Sequence, residues 1–294
     1  THLQDAVPIR LGQSFEAYAN VVGRDISRLK GLKKDLRALN IGATAVGTAI
    51  NVNPVYLFQI IKNINLICGT DCYQADDLFD ATQNLDCFVH VSGALKTCAS
   101  SLSKICNDLR LLSSGPHAGL GEINLPPKQN GSSIMPGKIN PVIPEVVSQV
   151  AFNVIGNDVT VTMAAEAGQL ELNAFEPVIF YKIFESIDTL GGAVTTLIDN
   201  CVLGITANRD RCRRLVESSS ALATALCPSL GYKLSAEIAK KALSTGTPVR
   251  QIVLEEGLMT QEQLDRCLNL KDMTQPGHLV EYRKIGAGKS EKTE

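Results

Sequence analysis

The feature of this sequence that most constrains its fold is a stretch of apolar and small residues that recur at alternating steps of four and three. The first stripe consists of Ala81, Leu85, Phe88, Ser92, Leu95, Ala99, Leu102, Cys106 and Leu109. A second stripe beside it consists of Val91, Cys98, Ile105 and Leu112. Residues three and four apart lie on one face of an α-helix, so this spacing predicts a helix over residues 77–112. Two adjacent stripes bury a broad face, which is typical of a multi-helix bundle and not of a two-stranded coiled coil.

Helical spacing continues on both sides of this stretch, and strand-like alternation of useful length is absent. Further long helices are predicted over residues 14–39, 141–168 and 175–204, and a short helix over residues 54–69. Beyond residue 207 the predicted helices are shorter: 209–219, 232–244, 248–256 and 261–270, with Thr247 and Thr260 as helix starts. We therefore predict an all-α fold, with a central long-helix bundle domain over residues 1–207 and a small C-terminal helical domain over residues 208–294.

Asp25 occupies a seam position in the first long helix. A carboxylate at such a position indicates either a polar contact inside the bundle or a local rotation of the apolar stripe. The periodicity leaves both interpretations open.

Composition narrows the class of protein. The net charge is −2 and no basic patch stands out, which argues against nucleic acid and anionic membranes as partners. No apolar run reaches the about 18 residues of a membrane span, and no signal-peptide pattern is visible. The nine cysteines show no disulfide spacing and mostly fall on apolar helical stretches, which favours free thiols in a reducing cytoplasm. Cys68 and Cys72 lack nearby partners of the kind a metal needs, so no metal site is predicted.

One irregular stretch, residues 131–141, breaks the pattern between two long helices and reads G-S-S-I-M-P-G-K-I-N-P. Pro141 suits the first residue of the next helix, where a missing N–H costs nothing. Asn140 would then lie at a helix N-terminus, where backbone N–H groups and the helix dipole favour an anion, and Lys138 adds a positive charge. These residues predict a mobile anion-binding loop with a hydroxyl that could be activated. A plain polar connection between helices is the alternative, because glycine, serine and proline are common in loops.

This stretch resembles the signature loop of the fumarase/aspartase superfamily, G-S-S-x-M-P-x-K-x-N-P. Residues 1–6, T-H-L-Q-D-A, resemble a second signature of the same superfamily, in the expected order. The resemblance implies a long-helix bundle of the fumarase/aspartase type. It also implies a homotetramer in which each active site takes its signature stretches from three subunits. Because superfamily members carry more than a hundred residues before the second signature, we expect the sequence to lack an N-terminal region, including part of the bundle domain.

The resemblance implies an elimination that needs no cofactor or metal. A proton leaves the carbon beside a carboxylate, and the resulting enediolate must be held by cations and hydrogen-bond donors. By the resemblance, Ser132 is the base, activated when the loop closes over the substrate. Ser133, Lys138 and Asn140 are implied to bind the substrate. The remaining loop positions carried over from the signature are Gly131, Met135 and Gly137.

Three residues outside the loop complete the implied site. Thr1 and His2 would contact a substrate carboxylate, and Glu145 would pair with the histidine and favour the imidazolium form. For Glu145 the alternative is an exposed acid in a first helical turn, stabilised only by the helix dipole.

The sequence following the signature loop separates the branches of the superfamily. The run A-A-E-A-G-Q-L-E-L-N over residues 164–173 and I-T-A-N over residues 205–208 resemble the ammonia-lyase (aspartase) branch and differ from fumarases. The resemblance therefore implies reversible deamination of L-aspartate to fumarate and ammonia by a cytoplasmic carbon–nitrogen lyase, although turnover by this chain alone is in doubt if it lacks the upstream region. Fumarate hydratase, or another lyase of the superfamily, is the alternative reaction. A non-catalytic fragment or structural relative is the alternative of another class.

Overall fold

The computed structural model describes residues 1–129, residue 131 and residues 134–275. The chain divides into two compact units. One is formed by residues 17–207, and the other by residues 1–16 together with the chain from Asn208 onward. The predicted domains, residues 1–207 and 208–294, stay a prediction.

The unit of residues 17–207 is built from long helices. In chain order these are α1 (Leu11–Gly31, which begins in the other unit), α2 (Pro54–Cys68), α3 (Asp80–Gln83), α4 (Asp86–Leu112), α5 (Val142–Glu166) and α6 (Glu176–Asn200). Two pairs of two-residue strands accompany them: β1 (Ala38–Leu39) lies parallel to β2 (Tyr73–Gln74), and β3 (Ile123–Asn124) lies antiparallel to β4 (Thr206–Ala207). The helical bundle predicted from the sequence is confirmed.

Helix α5 is the centre of this unit because it packs extensively against both α4 and α6. The predicted stripes of α4 are its buried face, since Ala99 and Cys106 are fully buried and Leu109 is nearly so. On α5, Val147 and Val161 are fully buried. Helices α4 and α5 run antiparallel, so Lys96 near the middle of α4 meets Asp158 toward the end of α5.

Two predicted helix limits in this unit are wrong. The first helix ends at Gly31 and not at residue 39, because a 3₁₀ turn over Leu32–Lys34 follows it and residues 38–39 pair with β2. The helix predicted over 77–112 is interrupted at Asn84, whose backbone is extended. Leu85 is buried on the same stripe as the residues of α4, and so the hydrophobic pattern runs through the break unchanged.

Asp25 is the one residue of α1 classed as buried among those that the structure describes. Its Oδ1 is paired with Arg28 of the same helix, while its Oδ2 is buried without a hydrogen-bond partner among the described residues. The carboxylate is thus buried and contacts Arg28 of its own helix, and the two interpretations of this position stay predictions.

The unit of residues 1–16 and 208–275 has its own core of apolar side chains. Its further helices are α7 (Arg209–Ser218), α8 (Cys227–Leu230), α9 (Tyr232–Thr245), α10 (Val249–Glu255), α11 (Gln261–Cys267) and α12 (Leu270–Met273). The core includes Leu226, Ile252 and Leu264, which are all fully buried. Thr260 caps α11 as predicted, in a reciprocal capping box with Gln263. Thr247 does not cap α10, which starts after Pro248 without a side-chain cap.

The nine cysteines are free thiols. Burial raises the pKa of Cys106 to about 12 and raises the pKa of Cys201 as well. In the part of the chain that the structure describes, no helix combines the length and apolar character that crossing a bilayer requires.

Candidate active site

The signature loop belongs to the irregular segment that joins the end of α4 to the start of α5. This segment is fixed near its beginning by two backbone contacts. The Glu122 N–H donates to the Leu112 carbonyl at 2.8 Å, and β3 pairs with β4 through Ile123 and Ala207. Since Ile123 is almost fully buried, the strand pair ties the segment to the end of α6. The ring of Pro126 also lies against Gly204, where a Cβ would come within 2.4 Å of it, so the contacts of this segment continue beyond the strand pair.

Within the loop, Gly131 and Lys138 approach each other closely. A Cβ built on Gly131 would lie 1.9 Å from the Lys138 carbonyl oxygen, so only glycine fits at this position. The Lys138 N–H donates to the Met135 carbonyl at 3.2 Å across a turn in which Gly137 has a φ of +82°. A side chain at Gly137 would be strained at that φ. Ser132 and Ser133, predicted as base and substrate contact, lie outside the described residues.

Asn140 lies just before the beginning of α5, as predicted. The Asn140 carbonyl accepts the Val142 N–H at 2.9 Å, and the Pro141 carbonyl accepts the Glu145 N–H. Helix α5 begins at Val142, so Pro141 is the residue before the helix and not its first residue. The side chains of Lys138 and Asn140 are exposed beside the positive end of the helix dipole. An anion at this point would face a lysine cation, a carboxamide and a helix N-terminus together.

Glu145 lies in the first turn of α5, and its side chain is 38% exposed. Its Oε1 lies 3.6 Å from Nη2 of Arg110, in the last turn of α4. Arg110 is not among the site residues predicted from the sequence. The sequence did carry a signal for this contact. Arg110 lies in the last turn of one predicted helix, and an acid lies in the first turn of the next. The predicted pairing of Glu145 with His2 stays a prediction.

Thr1 and His2 belong to the other unit, and both are exposed. The Thr1 carbonyl accepts the Gln4 N–H at 2.9 Å, which closes a turn in which His2 has a φ of +54°. Asp5 then accepts a hydrogen bond from the Ser219 hydroxyl at 2.9 Å, which attaches this segment to its unit. Lys138, Asn140 and Glu145 thus lie at or near the start of α5 in one unit, and Thr1 and His2 belong to the other unit.

Groups of three or more histidine, cysteine, aspartate or glutamate side chains that could hold a metal ion are absent from the described residues. The described loop residues offer an anion a lysine cation, a carboxamide and backbone N–H groups.

Comparison with known proteins gives two family matches. Residues 1–156 match a family model described as "Lyase", and residues 222–275 match one described as "Fumarase C C-terminus". The chain is 52% identical to an aspartate ammonia-lyase of Bacillus subtilis, over 94% of this chain and 58% of that protein. It is 54% identical to an aspartate ammonia-lyase of Helicobacter pylori, over 94% of this chain and 59% of that protein.

Two solved structures resemble the fold. A "fumarate lyase:delta crystallin from Brucella melitensis bound to cobalt" has a TM-score of 0.90 at 51% identity, covering 94% of this chain and 60% of that one. A recombinant class II fumarase from Schistosoma mansoni has a TM-score of 0.83 at 32% identity, covering 94% of this chain and 61% of that one. The chain thus spans about three fifths of the length of these relatives.

Proposed function

The chain belongs to the lyase family of the fumarase/aspartase superfamily, and we propose on this basis that the protein converts L-aspartate reversibly to fumarate and ammonia. The observation that carries the proposal is the position of the signature loop directly before α5, with Lys138 and Asn140 exposed at the helix N-terminus. Identity of 52–54% to aspartate ammonia-lyases over nearly the whole chain supports this substrate. The proposal concerns the whole protein, because the relatives are longer than this chain.

The chemistry follows from the charge that develops during the reaction. Removing the proton next to a carboxylate puts a second negative charge on that group, and the enediolate is stabilised by fixed cations and donors. In our proposal Lys138 and Asn140 supply them. Ser132 takes the proton, and Ser133 contacts the substrate. The amino group then leaves from the adjacent carbon on the opposite face.

We assign recognition of a substrate carboxylate to Thr1 and His2. An imidazolium at His2 would bind this anion better than a neutral ring, and a carboxylate partner favours the charged form. Glu145 is the partner we propose, supplied within a subunit or from a neighbouring one.

Assembly into a homotetramer with shared active sites is part of the same proposal. Helices α5 and α6 carry large apolar side chains that are more than half exposed: Phe152, Met163, Tyr181 and Phe184. Apolar patches of this kind on long helices commonly mark protein–protein interfaces. A reducing cytoplasm is the compartment that suits the nine free thiols.

The ultraviolet absorbance of fumarate gives a direct test. Purified protein is supplied with L-aspartate and, separately, with L-malate. Fumarate formed from aspartate only supports the proposal, and fumarate formed from malate only moves the assignment to fumarate hydratase, the second candidate supported by the fumarase resemblance. No product from either, in a protein that is folded and tetrameric, would favour the non-catalytic alternative.

Two variants test the residue roles. Ser132→Ala should abolish turnover and leave the assembly intact, because the change removes the proposed base and only one hydroxyl. Lys138→Ala should raise KM and lower kcat, because the cation facing the substrate carboxylate is lost. Turnover by Ser132→Ala at the wild-type rate would remove Ser132 as the base.

A further inference from the structure

The ion pair between Arg110 and Glu145 lies where the signature segment leaves α4 and where it enters α5. Arg110 is in the last turn of α4, where a cation is stabilised by the negative end of the helix dipole. Glu145 is in the first turn of α5, where an anion is stabilised by the positive end. Each helix dipole thus stabilises the charge at its own helix end, and these two opposite charges attract each other.

Arg110 is the basic side chain that the structure places against Glu145 among the described residues. Nη2 of Arg110 lies 3.6 Å from Oε1 of Glu145, and both side chains are about 40% exposed. A pair this exposed contributes little to stability. A carboxylate has two acceptor oxygens, so contact at Oε1 leaves Oε2 for a second donor. The geometry therefore suits orientation of the carboxylate better than stabilisation of the fold.

We propose that Arg110 is a positioning residue, which holds the Glu145 carboxylate with Oε1 against its guanidinium and leaves Oε2 available for the partner that the proposed function assigns to it. This inference rests on the proposed function, since it gives Arg110 a role through Glu145 in binding the substrate carboxylate. Arg110 itself does not contact the substrate. Because it acts through Glu145, its effect on catalysis must vanish when the carboxylate is absent.

A double-mutant cycle tests this dependence. The variants Arg110→Gln, Glu145→Gln and the double variant are compared with the wild type by kcat/KM for L-aspartate. We expect Arg110→Gln alone to lower kcat/KM about threefold to tenfold, as is typical of coupled neighbours. In the Glu145→Gln background the same change should have no further effect. If the loss in the double variant equals the product of the two single losses, the inference is overturned.

The changes in KM and kcat separate positioning from a general structural defect. Because Glu145 is proposed to act in binding the substrate carboxylate, Arg110→Gln should raise KM and leave kcat nearly unchanged. A structural defect would lower kcat through loss of folded protein and leave KM in place, and an unchanged KM contradicts the inference. Arg110→Lys keeps the charge and should recover part of the loss. If Arg110→Gln does not fold, the cycle is run with Arg110→Lys, whose loss should likewise vanish in the Glu145→Gln background.

Lys104→Gln is the matched control, because Lys104 is a cation on α4 that pairs with Asp108 of the same helix. It should leave kcat/KM unchanged and show no coupling to Glu145→Gln. Wild-type protein that forms no fumarate from aspartate would refute the proposed function. Active wild-type protein with independent losses would refute only the role of Arg110.

Discussion

Replacing Lys96 by Met removes the cation that faces a buried carboxylate between α4 and α5. Lys96 Nζ lies 2.5 Å from Asp158 Oδ2, and the Asp158 side chain is only 6% exposed. Oδ1 of Asp158 already has no hydrogen-bond partner among the described residues. In Lys96→Met the whole carboxylate would therefore be buried without a partner.

The size of the effect follows from this burial. Breaking a buried ion pair by removing one partner costs about 3–5 kcal/mol of unfolding free energy. The Lys96 side chain is 44% exposed, and water near it screens part of the interaction. We therefore expect Lys96→Met to lower the free energy of unfolding by about 2–4 kcal/mol. Replacing both partners, as Lys96→Met with Asp158→Leu, should restore stability to within about 1 kcal/mol of the wild type, because no charge is left unpaired.

Urea unfolding followed by far-ultraviolet circular dichroism measures these differences. Lys104→Met provides the control, since Lys104 is 68% exposed and its pair with Asp108 should contribute less than about 1 kcal/mol. A Lys96→Met protein as stable as the Lys104→Met protein would refute the reasoning. So would a double variant less stable than Lys96→Met, because the loss would then come from packing and not from charge.

Three further substitutions also have defined expected effects. Thr260→Ala removes the reciprocal cap of α11 and should lower the free energy of unfolding by about 1 kcal/mol, measured by urea unfolding. Gly131→Ala would put a Cβ against the Lys138 carbonyl and displace the loop, so turnover should fall about tenfold or more while the melting temperature is unchanged. The Cys106 pKa of about 12 means that folding favours the protonated thiol, so its contribution to stability is full below pH 9 and is lost toward pH 12. In Cys106→Ala, stability should therefore fall less steeply as the pH rises. The urea unfolding midpoint, measured from pH 8 to about 10, checks this.

Each of these expectations can fail clearly. An unfolding midpoint unchanged in Thr260→Ala would mean that the capping box contributes nothing. Wild-type turnover in Gly131→Ala would show that the close approach to Lys138 is not needed. If stability falls just as steeply with rising pH in Cys106→Ala, the decline comes from other groups. Tyr18 is one such group, because its pKa is raised by burial and by its hydrogen bond to Asp108.

The long helices could be predicted because burial and periodicity agree in them. The stripe on α4 is continuous in the sequence, and most of its members are buried on a helix that packs extensively against α5. The end of α1 could not be predicted in this way, because residues 38–39 leave the helix to pair with β2, a contact with residues far along the chain. The break at Asn84 was hidden for a different reason: Leu85 keeps the spacing of the stripe on both sides of it.

The candidate site was only partly predictable for a related reason. Asn140 and Lys138 could be placed at a helix start because proline and the following apolar run mark that start locally. The contact between Arg110 and Glu145 depends on how α4 packs against α5, and no local pattern encodes a distance between two helices. Side chains that act through another residue are the ones that such patterns miss.

The unit formed by both ends of the described chain has a mechanical consequence. Residues 1–16 and 208–275 share one compact unit, closed by Asp5 against Ser219 and by Gln13 against the Thr274 carbonyl. A tensile load applied to residues 1 and 275 would act first across these contacts. Residues 17–207 would be shielded from the load until that closure has ruptured, so stretching from the two ends should give the rupture of this unit before any extension of the helical bundle.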